Sequence, residues 1–191
     1  MTQVSIIGTG NMGNAIAGIF TKGGHTVELI GRGDSDKRIT GEIVVLAVPF
    51  PAVADVLAQR GASLAGKVVV DITNPLDFST FDSLTVPADG SAAAEIAAAL
   101  PQSTVLKAFN TTFGATLAAG TVGPLPTTVL IAGDDADAKA LLAGVITAGG
   151  LNAVDAGSLK RARELESLGF LQITLAAAEK VSWTGGFGVA A

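Results

Sequence analysis

One stretch decides the fold of this chain, and it reads Val4-Ser5-Ile6-Ile7-Gly8-Thr9-Gly10-Asn11-Met12-Gly13-Asn14-Ala15-Ile16-Ala17. A short apolar run of the β type stops at Gly8 and resumes after Gly13 with the apolar spacing of a helix. The Gly-x-Gly-x-x-Gly pattern therefore lies at a strand-to-helix turn. An ordinary tight turn is the alternative, and this context favours a dinucleotide-binding site.

Each glycine of the turn has its own expected role. Gly8 permits the tight turn, Gly10 lets the backbone approach a pyrophosphate, and Gly13 lets the helix pack closely on the strand. The free N–H groups at the start of the helix would then face the phosphates. The cofactor-binding residues predicted in this turn are Gly8, Thr9, Gly10, Asn11, Met12 and Gly13.

Composition argues against several classes of function. The chain has 191 residues, a formal net charge of −5, no cysteine and one histidine. Because no basic stripe exists, we expect neither nucleic acid nor a membrane surface as a partner. The lack of cysteine and of a histidine cluster argues against a metal site and against thiol or Ser/His catalysis. No uncharged apolar run reaches the ~20 residues of a membrane span, so we expect a cytoplasmic protein.

Strand-like and helix-like runs alternate along the chain, which predicts a Rossmann-type α/β fold with a doubly wound, mostly parallel sheet covered on both faces. The predicted strands are 3–7, 26–30, 42–48, 67–72, 104–108, 127–132 and 151–155. The predicted helices are 11–22, 51–60, 91–99, 135–147 and a long one at 158–181. We expect a single NADP-binding domain over 1–191, in which 158–191 form a C-terminal helix and tail.

Two segments depart from the usual pattern of this fold. Only residues 31–41 separate the second predicted strand from the third, whereas a parallel crossover normally takes about a dozen residues or more. The usual third strand is therefore expected to be missing, which leaves the second strand at the sheet edge. A long polar loop at 77–90 carries Phe78 and Phe81, and it is either functional or disordered.

The end of the second predicted strand indicates which nucleotide binds. An acidic side chain there would hold the ribose 2′-hydroxyl of NAD, but this chain has Gly31 followed by Arg32. Because a guanidinium grips a 2′-phosphate, NADP(H) is the predicted cofactor. Lys37 and Arg38 are either further phosphate ligands or surface charges.

Ligands of open α/β sheets bind beyond the carboxyl ends of the strands, so the residues there are candidates for the nicotinamide site. The residues predicted to contact the cofactor at these ends are Ala47, Val48, Pro49, Thr73 and Asn74, and the catalytic candidates are Asn74, Asn110 and Thr111. Asp71 and Lys107 are either an acid and a base or a structural ion pair. His25 begins a strand at the opposite end, so a catalytic role for it is not expected.

Four segments together resemble the NADPH-dependent reductases of coenzyme F420: 8–13, 71–75, 100–111 and 155–166. The NADPH domain of the STEAP-type metalloreductases shares the same order. This resemblance spans most of the chain and implies hydride transfer between C4 of the nicotinamide of NADP and C5 of a deazaflavin or flavin. It also implies that the nicotinamide lies near Asn11, Met12, Val48 and Pro49. Of the family's serine-arginine pair after the second strand, only Arg32 carries over.

Two other functions stay open at this point. An imine reductase resembling pyrroline-carboxylate reductase also begins with such a glycine turn, but it needs a helical dimerisation domain, and the residues after 158 supply one long helix. A non-catalytic NADP sensor is favoured if no acceptor pocket lies beside the nicotinamide.

The C-terminal region indicates the assembly and the acceptor site. Leucines along the last predicted helix favour a homodimer. The tail from Trp183 to Phe187 is predicted either to cover a small-molecule redox acceptor that stacks against residues 109–111, or only to bury apolar edges of the last helix. The spacing of Arg163 and Glu166 predicts a structural pair or a contact with a partner subunit.

Overall fold

The elements of the fold follow one another in nearly the predicted order, and the computed structural model describes them over residues 1–190. The strands are β1 (Gln3–Ile7), β2 (Thr26–Ile30), β3 (Ile43–Leu46), β4 (Val68–Asp71), β5 (Thr104–Lys107), β6 (Thr121–Val122), β7 (Leu125–Pro126), β8 (Thr128–Ala132) and β9 (Asn152–Gly157). The helices are α1 (Asn11–Lys22), α2 (Val53–Arg60), α3 (Ala92–Ala99), α4 (Gly114–Ala119), α5 (Ala136–Ala148) and α6 (Ala162–Ala177). Across 1–190, none of these helices is long and apolar enough to cross a membrane.

Seven strands form one sheet in the order β2-β1-β3-β4-β5-β8-β9. All neighbours are parallel except β5 and β8, so the predicted mostly parallel sheet is confirmed. The missing third strand is confirmed as well, because the chain passes from β2 to β3 without a helix or strand and leaves β2 at the sheet edge. Among the described residues no further strand lies beyond β2. The carboxyl ends of β1 to β4 are at the edge where ligands of this kind of sheet bind.

Both faces of the central strands β3 and β4 are buried, which explains why these strands are almost continuously apolar. Within β3, Ile43 and Val45 belong to one core and Val44 and Leu46 belong to the other, as the two-residue period of a strand requires. The first core includes residues of α1 and α5, whereas the second includes residues of α2 and α3. The first turn of α1 is thus anchored on a fully packed layer.

The last helix is shorter than predicted, and two short elements were not predicted. A helix was expected over 158–181, but a 3-10 turn at Leu159–Arg161 precedes α6, which ends at Ala177. Glu179 has a φ of 58°, which a right-handed helix cannot continue through. Helix α4 and the β6–β7 hairpin were missed because elements this short carry too little periodicity to be recognised.

The predicted pairing of Arg163 with Glu166 is also wrong. Arg163 lies 2.8 Å from the carboxylate of its neighbour Glu164. The buried Glu166 carboxylate instead accepts hydrogen bonds from the N–H groups of Ala92 and Ala93, at 2.9 and 3.2 Å, and so caps the start of α3.

Glu166 also completes a buried ion cluster at the end of β5. The Lys107 ammonium lies 2.8 Å from an oxygen of Glu166 and 2.8 Å from an oxygen of Asp71, and all three side chains are 0–1% exposed. The fully buried contact between Lys107 and Asp71 supports the alternative in which both are structural ions at strand ends. Burial raises the pKa of the Glu166 carboxyl, although the nearby Lys107 ammonium opposes that rise.

Candidate functional site

The glycine turn brings the backbone of three segments into close contact. Gly8 has a φ of +121°, and a β-carbon placed on it would lie 2.1 Å from the carbonyl oxygen of Ala47. A β-carbon on Gly13 would lie 2.3 Å from the carbonyl oxygen of Gly8. Both positions therefore require glycine for the packing of the turn itself.

Gly10 differs from these two glycines. A β-carbon on Gly10 would meet no atom within 4 Å, so this chain's own packing does not explain the glycine. Gly10 is the N-cap of α1, and no side chain accepts a hydrogen bond from the first N–H groups of that helix. Open space beside unpaired donors at a helix N-terminus fits a pyrophosphate, so the turn is compatible with the predicted dinucleotide.

A cleft of about 800 Å³ extends from the turn across the ends of β1, β2 and β3. The predicted residues in its lining are Gly8, Thr9, Gly10, Gly31, Arg32, Ala47, Val48 and Pro49. Neither Lys37 nor Arg38 lines it, and the Lys37 ammonium donates to the carbonyl oxygen of Leu29 at 2.8 Å. The cleft therefore has Arg32 at the place expected to hold a 2′-phosphate.

Sequence reasoning missed the wall that α2 contributes to this cleft. Asp55, Gln59 and Arg60 line it from one face of the helix, and Ser35 lines it from the loop after β2. The signal was the spacing of four residues between Asp55 and Gln59 and between Val56 and Arg60, which makes each pair neighbours on the helix surface. Polar residues in such a pattern usually face solvent, so the spacing alone did not distinguish them.

A second concavity of about 420 Å³ lies on the other side of the first turn of α1. Its lining includes the predicted residues Asn11, Met12, Asn74, Asn110 and Trp183, whereas Thr73 and Thr111 lie outside it. The remaining lining residues are Ile72, Phe78, Thr112, Phe113, Gly114, Ala115 and Ile173. We call this concavity the aromatic pocket, because Phe78, Phe113 and Trp183 contribute to its walls and none of its lining residues is charged.

Two carboxamides form one wall of the aromatic pocket. The Asn74 amide donates to the backbone oxygen of Asn110 at 2.9 Å, and the Asn110 amide donates to Oδ1 of Asn74 at 2.9 Å. Gly169 of α6 packs so closely that a β-carbon on it would lie 2.4 Å from Oδ1 of Asn74. Oδ1 of Asn110 is buried and has no hydrogen-bond partner in the described part of the chain.

The C-terminal tail closes another side of the aromatic pocket. Trp183 packs on Phe113 with ring centroids 4.9 Å apart. The buried Gln172 of α6 holds the tail, because its Oε1 accepts from the N–H of Phe187 at 2.9 Å and its amide donates to the carbonyl oxygen of Thr111 at 3.2 Å. The Phe187 side chain itself does not line the pocket, and Phe109 is fully buried in the core.

Comparisons with known proteins point to one family. The family model described as "NADP oxidoreductase coenzyme F420-dependent" matches residues 35–75. An F420-dependent NADP reductase of Methanocaldococcus jannaschii is 30% identical over 171 residues, which cover 87% of this chain and 76% of that protein. The metalloreductase STEAP3 of Rattus norvegicus is 29% identical over 87% of this chain but only 36% of its own length.

Solved structures agree with this pattern. A crystal structure from Arthrobacter sp. FB24, named as a candidate F420-dependent NADP reductase, is 26% identical and covers 100% of both chains with a TM-score of 0.86. An imine reductase of Streptomyces aurantiacus has a TM-score of 0.63 at 20% identity and covers 93% of this chain and 63% of its own. The second likeness shows the shared fold alone.

Proposed function

This chain belongs to the F420-dependent NADP reductase family, and from that premise we propose that it is an oxidoreductase transferring hydride between NADP(H) and a deazaflavin or flavin acceptor. One observation carries the proposal: the cleft and the aromatic pocket meet at the first turn of α1. Gly8 and Gly10 line the cleft, whereas Asn11 and Met12 line the pocket. A dinucleotide laid across this turn has its adenosine end in the cleft and its nicotinamide end at the pocket.

Residues of the cleft would hold the cofactor by charge and by backbone donors. The N–H groups after Gly10 would bind the pyrophosphate, and Arg32 would bind the 2′-phosphate. Val48 and Pro49 would cover the cofactor where it leaves the cleft, while Asn74 or Asn110 would hydrogen-bond a ring amide. We propose that residues 1–191 form one NADP-binding domain. Within it, the region after residue 158 contributes Ile173 and Trp183 to the pocket for the acceptor.

Residues of the aromatic pocket would hold the acceptor by contact with its ring. When bound, the nicotinamide supplies or takes up a hydride at C4, and this transfer requires two aligned rings and little acid–base help. Phe78, Phe113 and Trp183 offer apolar surface for a planar ring. Asn110 also lines this pocket and would hydrogen-bond the acceptor.

The two alternatives have less support. An imine reductase would need a helical domain after β9, and within 1–190 only one α-helix, α6, follows that strand. A sensor without chemistry would have no use for a pocket beside the cofactor turn, whereas this chain has one of about 420 Å³.

NADPH oxidation against a panel of acceptors tests the proposal. We expect turnover with F420 or with riboflavin, FMN or FAD, and none with quinones or cyclic imines. Binding of NADPH without turnover of any acceptor would favour the sensor. Turnover of a cyclic imine would favour the imine reductase.

A homodimer in the cytoplasm is part of the same proposal. Closed two-fold dimers dominate soluble oligomers, and α6 leaves Leu171 48% exposed. Light scattering at micromolar concentration should therefore return about twice the chain mass of 19.0 kDa. A mass equal to that of one chain would reject the dimer.

A further inference from the structure

Arg60 ties helix α2 to the loop that carries Arg32. Its Nη1 donates to the carbonyl oxygen of Lys37 at 2.9 Å, and its Nη2 donates to the carbonyl oxygen of Asp34. The side chain also lines the cleft and is half-buried. One planar guanidinium thus holds two backbone oxygens of the same loop, which a lysine ammonium on a flexible stem does less well.

The loop needs such a contact because it lacks the helix and strand that this fold usually has there. Its first half is otherwise shaped by local hydrogen bonds, in which Oδ2 of Asp34 accepts from the N–H of Gly31 at 2.7 Å. The second half is fixed separately, since Ile39 is buried and the N–H of Gly41 donates to the Ser5 hydroxyl at 2.8 Å. Arg60 therefore braces the half of the loop that contains Arg32.

We propose that Arg60 is a positioning residue for NADP selectivity, which holds residues 34 and 37 so that the Arg32 guanidinium faces the cleft. Two of its five side-chain N–H groups donate to the two carbonyl oxygens. In this proposal Arg60 acts on the 2′-phosphate through Arg32. The inference rests on the proposed NADP(H) site. In this account a single arginine of α2 replaces part of the support that a third strand would supply.

A double-mutant cycle separates positioning from direct contact. We would measure dissociation constants of NADPH and NADH for the wild type, Arg60→Met, Arg32→Ala and the double variant. Arg60→Met should weaken NADPH about five- to tenfold, as expected for one or two lost hydrogen bonds, and should leave NADH nearly unchanged. In the Arg32→Ala background, Arg60→Met should have almost no further effect on NADPH.

Two further variants act as controls. Arg38→Met removes one charge from the same loop, at an exposed side chain outside the cleft lining, and should change NADPH affinity much less. Arg60→Lys keeps the charge but not the two-pronged contact, so it should fall between the wild type and Arg60→Met. This variant also provides the readout if Arg60→Met does not fold.

The outcomes are distinguishable. Additive effects of Arg32 and Arg60 on NADPH affinity would mean that Arg60 acts independently of Arg32 and would overturn the positioning role. If Arg60→Met weakens NADPH and NADH binding equally and lowers the melting temperature, Arg60 only stabilises the fold, and the positioning role is overturned. If the wild type binds both cofactors equally and Arg32→Ala has no effect, the proposed NADP site itself fails.

Discussion

The cleft and the aromatic pocket share the first turn of α1 but are built in different ways. The cleft is lined largely by short consecutive runs, 7–10, 30–32 and 47–49, so local sequence determines most of its floor. The pocket has one longer run, 112–115, and otherwise collects one to three residues each from the first turn of α1, the segments after β4 and β5, α6 and the tail. Backbone geometry thus dominates the proposed cofactor half, whereas long-range packing contributes more to the proposed acceptor half. The same cofactor half can therefore serve relatives with different acceptors.

The largest expected effect comes from filling the space beside Gly10. Gly10→Val should abolish NADPH binding, by more than about 100-fold, because its side chain would occupy the open space proposed for the pyrophosphate. The melting temperature should change little, since no atom lies within 4 Å of the added β-carbon. Calorimetric titration and thermal unfolding measure both quantities.

Two other glycines are matched controls for this variant. Gly18→Ala adds a β-carbon to the same helix, also with no atom within 4 Å, and should keep wild-type affinity. Gly8→Val should instead lower stability, because its β-carbon would collide with the Ala47 carbonyl. Wild-type affinity of the Gly10 variant would show that the nucleotide site is misplaced.

Removal of the tail should affect only the acceptor half. Truncation before Trp183 should abolish acceptor turnover and leave NADPH affinity within about twofold of the wild type, because the tail lines the pocket and not the cleft. Trp183→Phe keeps an aromatic ring against Phe113 and should retain much of the turnover. Steady-state kinetics and NADPH titration separate the two effects.

Two results would change this part of the comparison. Retained turnover in the truncated chain would show that the tail is not part of the acceptor site. Loss of folding would show instead that the tail contributes to the packing of α6.

A tenfold effect on the preference for NADPH over NADH is expected at Arg32, in the lining of the cleft. The wild type should bind NADPH at least about tenfold more tightly than NADH, and Arg32→Ala should remove that preference while barely changing NADH affinity. Arg32 forms no ion pair within the described residues, so its replacement should not lower stability. Equal affinities of the wild type for both cofactors would contradict the assignment of NADP(H).

Local patterns predicted most of the fold and much of the cleft. The alternation of strands and helices, the glycine turn and the short span before β3 were enough to predict the sheet and its missing strand. The role of Arg60 was not predicted because this side chain donates to backbone carbonyls, those of Asp34 and Lys37. A contact with the backbone does not depend on the residue types of its partners, so no sequence pattern indicates it. The same reason hid Glu166, whose partners include N–H groups more than 70 residues away.

The smallest expected effect concerns the buried ion cluster formed by Asp71, Lys107 and Glu166. Burial raises the pKa of Glu166 above its ordinary value of 4.5, so the folded chain binds more protons there than the unfolded chain. The protonated Glu166 therefore stabilises the folded chain. This stabilisation is fully present below pH 4.5 and is lost as the pH rises through the raised pKa. Glu166→Gln cannot ionise at this position and lacks this dependence.

Urea unfolding of both proteins across that pH range gives the difference in unfolding free energy. The wild type should lose stability relative to Glu166→Gln as the pH rises. A relative gain by the wild type would mean that the attraction of Lys107 outweighs the burial of the carboxylate.

Transfer of deuterium from C4 of NADPH tests the central claim most directly. NADPH deuterated at C4 would be mixed with oxidised F420, and the reduced deazaflavin would be analysed by mass spectrometry. Direct transfer between aligned rings predicts deuterium at C5 of the product, where a carbon-bound label does not exchange with water. Reduction of F420 without deuterium in the product, or no reduction of either F420 or a flavin although NADPH is bound, would contradict the account.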